Sequence, residues 1–330
     1  MTLSAPLPQP RGPVSAAAVD VLRGRRGVPL PDVGPDVLGN DDVQLALWCL
    51  YEVHHRGLAG IDPEMEWDPD ALRLRRALEK HHLDALRELT AARVEHVDPA
   101  ADLPAQIDTL LQVDDGPSLA ERLQRHADRE EFLDFLRQRS IYHLKESDPH
   151  AFVVPRLDGA AKVALAELQY DEFGAGRPAA LHSTLFAQAL AACGVDASYG
   201  ACIDDARATT LAVNTTMSFF GLHRRWRGAA MGHLAAFEST SSLPCRRITL
   251  GARRLGLPEE VAAYYEEHIE ADAVHEQLAV RNICVPLATA QPHLAQDILF
   301  GVAACLELDA LAAREHFALF AGRSRQQVPA

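Results

Sequence analysis

Apolar residues return every three or four positions along most of this chain and almost nowhere at every second one, against a background of Ala, Leu, Glu and Arg. A 3.6-residue period gives each segment one apolar stripe, whereas a sheet needs alternation, so the pattern restricts the chain to an all-α fold. Residues 1–40 depart from it: rich in proline, with several glycines, they read as an extended arm. Helices are expected over 41–55 and 69–90, the second opening on Pro69 and Asp70 as helix starts prefer. The strings VDPAADLPAQ and DDGP interrupt the period between Val97 and Pro117. They place a boundary between an N-terminal helical region, 41–114, and a larger domain, 115–330. There, a long helix over 118–145 is followed by others over 158–173, 179–192, 203–222, 228–239, 258–283 and 292–320, a bundle of about seven helices whose centre can hold a cofactor.

Composition narrows the partners. A formal charge of −14 repels nucleic acid and anionic membrane surfaces alike, so the expected partner is a small molecule. The amino terminus lacks a signal-peptide core, and the longest apolar run, about nine residues near Ile298, is too short to span a bilayer. A cytoplasmic protein is expected. Cys49, Cys193, Cys202, Cys245, Cys284 and Cys305 are scattered without a CxxC pair and read as buried thiols.

The chemistry is carried by His268, Asp272 and His275, spaced four and three residues apart. At about 100° per residue the second and third side chains lie roughly 40° and −20° around the axis from the first, so all three point one way. Two imidazoles and a carboxylate on consecutive turns suit a first-row metal such as iron, manganese or zinc. Other donors sit on apolar faces. Glu238 is the only acid in GAAMGHLAAFEST, with Leu234 and Met231 on its own face, and a buried lone carboxylate must be neutralised, paired or bound to a metal. Glu172 and His182 flank FGAGRP, whose residues can supply a local bulge that brings the two onto one face. Glu146 closes the helix before Asp148-Pro149.

Glu172, His182, Glu238, His268, Asp272 and His275 on an all-helical chain resemble the ligand set of the haem-oxygenase-like diiron oxidases, also called iron-containing redox enzymes. The segment YDEFGAGRPAALH is similar to that family's entry into its first ligand pair, and the likeness covers roughly residues 118–325. It implies two iron ions cycling between Fe2+ and Fe3+, with O2 as co-substrate and an external electron donor. In the family's N-oxygenating branch a further carboxylate comes from an upstream helix, and Glu146 falls where that ligand is expected. The gaps of 26, 10, 56, 30, 4 and 3 from Glu146 to His275 resemble those of the branch's nitrosourea-forming member. The resemblance further implies an amine, guanidine or aminoimidazole substrate in specialised metabolism, and a homodimer formed through an N-terminal region such as 41–114. The alternative outcome is C–H abstraction on a fatty or amino acid. Four carboxylates would balance two ferrous ions while three neutral imidazoles add no charge.

Two ExxH pairs, Glu52/His55 and Glu79/His82, have the spacing of ferritin-like ligands. Their histidine doublets, and the charge density of LRLRRALEKHH, mark them instead as wetted surface. His143, His150, His223 and His233 stay outside the expected site, and Tyr264 and Asn282 extend the triplet's face, either as outer supports of the ligands or, more often for such positions, in packing. Haem is disfavoured, because clustered carboxylates suit oxygen-philic ions rather than an open axial site.

Overall fold

The computed structural model describes residues 4–113 and 116–321, the side chains of 270–274 and 321 excepted. Among these residues there is no strand, only an isolated parallel bridge between Ala5 and Leu58. The helices run α1 (Pro13–Leu22), α2 (Asp41–Glu52), α3 (Pro69–Val94), α4 (Leu103–Leu111), α5 (Leu119–Arg125), α6 (Arg129–His143), α7 (Asp148–Ala151), α8 (Gly159–Glu172), α9 (His182–Ala192), α10 (Ala208–Leu222), α11 (Arg227–Arg254), α12 (Glu259–Gln277), α13 (Val285–Ala290) and α14 (Ala295–Ala321). None is long and apolar enough to cross a membrane. Side chains cap their starts: Asn40, Asp68, Asp102, Ser118 and Asp128 each accept from backbone N–H groups in the first turn of the helix that follows.

Three local expectations are corrected. The arm expected over residues 1–40 holds a helix, α1, because Val14, Ala18, Val21 and Leu22 recur at helical spacing as one buried stripe that the proline-rich flanks hid. The four belong to the shared core, and the Asp42 carboxylate accepts from Val14 N and Ser15 N at 2.8 and 2.7 Å, capping α1 from α2. The single helix expected over 118–145 is two, since Asp128 draws the Glu131 N–H to its side chain at 2.8 Å and starts α6 anew. Third, FGAGRP supplies no bulge, but the interruption expected between the helices over 158–173 and 179–192 is present. Gly174, Ala175 and Gly176 all have positive φ, and a Cβ on Gly174 would lie 2.5 Å from Arg177 O.

Helix α11 is the axis of the bundle, packed most extensively against α12 and α14. Glycines permit the second contact: a Cβ on Gly232 would lie 1.9 Å from Ile298 O, and one on Gly301 2.0 Å from Ala229 O. After α12 the chain winds as a π-helix over Leu278–Cys284 before α13, so the helix expected over 258–283 changes character at its end. Helix α2 packs on α10 and α3 on α14, and one apolar cluster joins these N-terminal helices to the bundle. All six cysteines are free thiols, Cys193 half-buried and the others buried.

Candidate metal centre

Six of the seven expected donors converge from five places in the fold. Glu146 lies in the turn after α6, Glu172 ends α8, His182 opens α9, Glu238 sits inside α11, and His268 and His275 lie on α12. All six are buried. They form two groups, Glu146 with His182 and His268, and Glu172 with Glu238 and His275, and within each the donor atoms lie within 4.8 Å of one another. The groups adjoin, His182 Nδ1 standing 3.1 Å from Glu172 Oε2. The helix through residue 272 places Asp272 between His268 and His275, but its side chain lies outside the described residues.

The hydrogen bonds suit metal ligation. His268 Nδ1 lies 2.8 Å from the carbonyl of Tyr264, one turn back, so it carries the proton and donates. Its Nε2 faces Glu146 Oε1 at 3.5 Å. His275 Nδ1 stands 3.6 Å from Glu172 Oε1 and 3.5 Å from Glu238 Oε2. Facing a carboxylate oxygen at these separations, an imidazole nitrogen needs a proton or a cation between the two, and three buried carboxylates supply more negative charge than an apolar interior tolerates uncompensated. Hard oxygen and borderline nitrogen donors in this mixture suit iron.

An outer layer holds Glu146. His143 Nδ1 lies 2.8 Å from its Oε1, and Tyr264 OH donates to its Oε2 at 2.7 Å. Burial alone would raise the Glu146 pKa, but the His143 and His268 imidazoles outweigh it and hold the carboxyl well below the usual range. For His182 the Glu172 carboxylate likewise outweighs burial and raises the imidazole. Burial and Glu146 push the Tyr264 phenol well up, keeping it a donor. Of the two roles expected for Tyr264, one turn before His268, the structure shows the support of a ligand by a hydrogen bond, while Asn282 is exposed in the π-helix. His143 stands three residues before Glu146, so the i,i+3 spacing at the end of α6 was the signal that could have found it.

The ExxH pairs are not wetted surface. Glu52, Glu79 and His82 are buried. Their charges are met within the protein: Glu52 pairs with Lys145 at 2.8 Å, Glu79 with Arg75 at 3.1 Å and His223 at 2.8 Å, and His82 Nε2 meets Thr216 Oγ1 at 2.9 Å. They belong to neither donor group. The LRLRRALEKHH charge density misled because one stripe of α3 faces inward.

A cavity of about 110 Å³ opens on Glu146 and His268, lined by Phe135, Phe237, Ile248 and Tyr265 together with Arg139 and Asp309. Burial raises the Asp309 carboxyl despite nearby Arg139. No curated protein matches the chain. A family model described as iron-containing redox enzyme matches residues 133–310, more than half of the sequence and the whole of both donor groups.

Proposed function

The chain belongs to the iron-containing redox enzymes, and from that premise we propose that it is a non-haem diiron oxygenase that uses O2 to N-oxygenate an amine, guanidine or aminoimidazole. The observation that carries this reading is the pair of adjoining buried groups, each mixing imidazole and carboxylate. Glu146, Glu172, His182, Glu238, His268, Asp272 and His275 would hold two ions. The iron pair, when bound, supplies dioxygen activation and electron storage, with an external donor returning it to the ferrous state.

The residues do the rest. Tyr264 and His143 fix the Glu146 carboxylate by hydrogen bonds, and the Tyr264 carbonyl fixes the His268 tautomer. Phe135, Phe237 and Tyr265 exclude water from the adjoining cavity. Arg139 and Asp309, which also line that cavity, offer polar partners that a nitrogen substrate can meet and a fatty chain cannot, which supports the first over the second. Glu146 supports N-oxygenation over C–H abstraction, standing as the extra carboxylate beside His182 and His268.

The test is anaerobic loading with ferrous iron, then reductant, oxygen and a panel of amines read by mass spectrometry. A product heavier by one or more oxygen atoms, with 18O2 label incorporated, supports N-oxygenation. Loss of hydrogen or of a carbon fragment favours the alternative, and absence of stoichiometric iron removes the reading.

A further inference from the structure

We propose that Glu52 and Arg56, at the end of α2, are positioning residues for Glu146, an inference that rests on the diiron reading above. Glu146 sits in a turn gripped on both sides. Before it, Lys145 Nζ meets Glu52 Oε2 at 2.8 Å, with both side chains almost wholly enclosed. After it, Asp148 Oδ2 meets an Arg56 guanidinium nitrogen at 3.1 Å. Tyr199 ties the two pairs together, donating its OH to Glu52 Oε1 at 2.5 Å while its ring lies 4.5 Å beneath the Arg56 guanidinium. Between them Ser147 holds φ 67°, an αL conformation that L residues with a Cβ adopt only when the surroundings over-determine it. The Gln169 amide donates to the Ser147 hydroxyl, and Ser147 N donates to Tyr142 OH at 3.3 Å.

The consequence is directional. With Lys145 and Asp148 pulled toward α2, the intervening Glu146 side chain faces the other way, onto His143, His268 and Tyr264. A buried ion pair contributes little net stability, because desolvation offsets its attraction, so specifying one geometry is the better physical account of Glu52–Lys145. Helix α2 lies some 90 residues upstream of the turn, which makes the N-terminal region part of the centre's construction.

The experiment is an anaerobic ferrous titration by equilibrium dialysis on the full chain, with circular dichroism as the fold control. Wild type should bind two ions. Glu52→Gln should keep one at unchanged affinity and hold the other about tenfold more weakly, the low end of the loss seen for groups bonded directly to a ligand, since Glu52 acts through Lys145. Should the lone buried Lys145 unfold that variant, Glu52→Gln with Lys145→Met removes both charges and should show the same selective loss. Arg56→Met should weaken the same ion to a lesser degree. In a Glu146→Ala background, Glu52→Gln should add nothing, whereas a merely structural role would lower both ions and act additively. Two ions retained in Glu52→Gln, or equal weakening of both, overturns the inference alone. A wild type without two ions overturns the diiron reading with it.

Discussion

Replacing Gly232 by alanine tests whether α11 and α14 meet as closely as described. The added Cβ would stand 1.9 Å from Ile298 O, where ordinary contact begins near 3.4 Å, so the helices must part locally by the difference, about 1.5 Å. The obstacle is backbone, and no rotamer change relieves it. Overpacking of this kind costs about 3 kcal/mol, and a gap of that width also forfeits at least half of the dispersion along the contact. Alanine returns about 1 kcal/mol through helix propensity, leaving a net loss of about 2 kcal/mol or more against a typical total of roughly 5–15. Urea unfolding followed by far-ultraviolet circular dichroism reads the loss. Gly301→Ala makes the reciprocal clash, 2.0 Å from Ala229 O, and one separation accommodates both. The double variant should therefore lose less than the sum of the singles, by about 0.5–3 kcal/mol. Wild-type stability in Gly232→Ala, or strict additivity, would refute the close crossing.

Tyr264→Phe removes the hydroxyl that donates to Glu146 Oε2 at 2.7 Å, so one ferrous ion should bind about tenfold more weakly with the other unchanged, read in the same dialysis. Unaltered affinity would show that His143 alone holds the carboxylate. Glu131 is buried, and although burial raises its carboxyl, hydrogen bonds from His316 at 2.9 Å and from Arg122 outweigh it and lower the pKa from the usual 4.5. A carboxyl lowered in the folded state contributes stability above its unfolded pKa and loses it as pH falls through the folded one. Glu131→Gln should therefore be less stable than wild type by about 1–3 kcal/mol at pH 7, with the difference shrinking below about pH 4.5. Unfolding curves at pH 7, 5, 4 and 3 show whether the gap closes.

The helical period made the fold class legible, and helical spacing made one face of His268 and His275 legible, because both depend on backbone geometry that sequence fixes locally. Glu238 was legible as an acid without company on an apolar segment. His143 was passed over although it stands one helical turn before Glu146, and the hydrogen bond of Tyr264 to Glu146 was not legible because it joins α12 to the turn after α6, a contact that no local spacing announces. The ExxH pairs show the opposite failure: charge density along α3 looked solvated, yet Glu79 and His82 face α2 and α10, where Tyr51 and Thr216 receive them. Helix α1 was concealed by the prolines around it, and α5 and α6 were joined because a capping aspartate and a mid-helix one look alike until the chain turns.

The five places that bring donors together are spread from Glu146 to His275, and the axial helix α11 is clasped by α14, which begins only at Ala295. A ribosome delivers them in that order. The earlier acids therefore leave the ribosome well before the last imidazole and the helix that closes over the axis, so the full donor set exists only when synthesis is nearly finished.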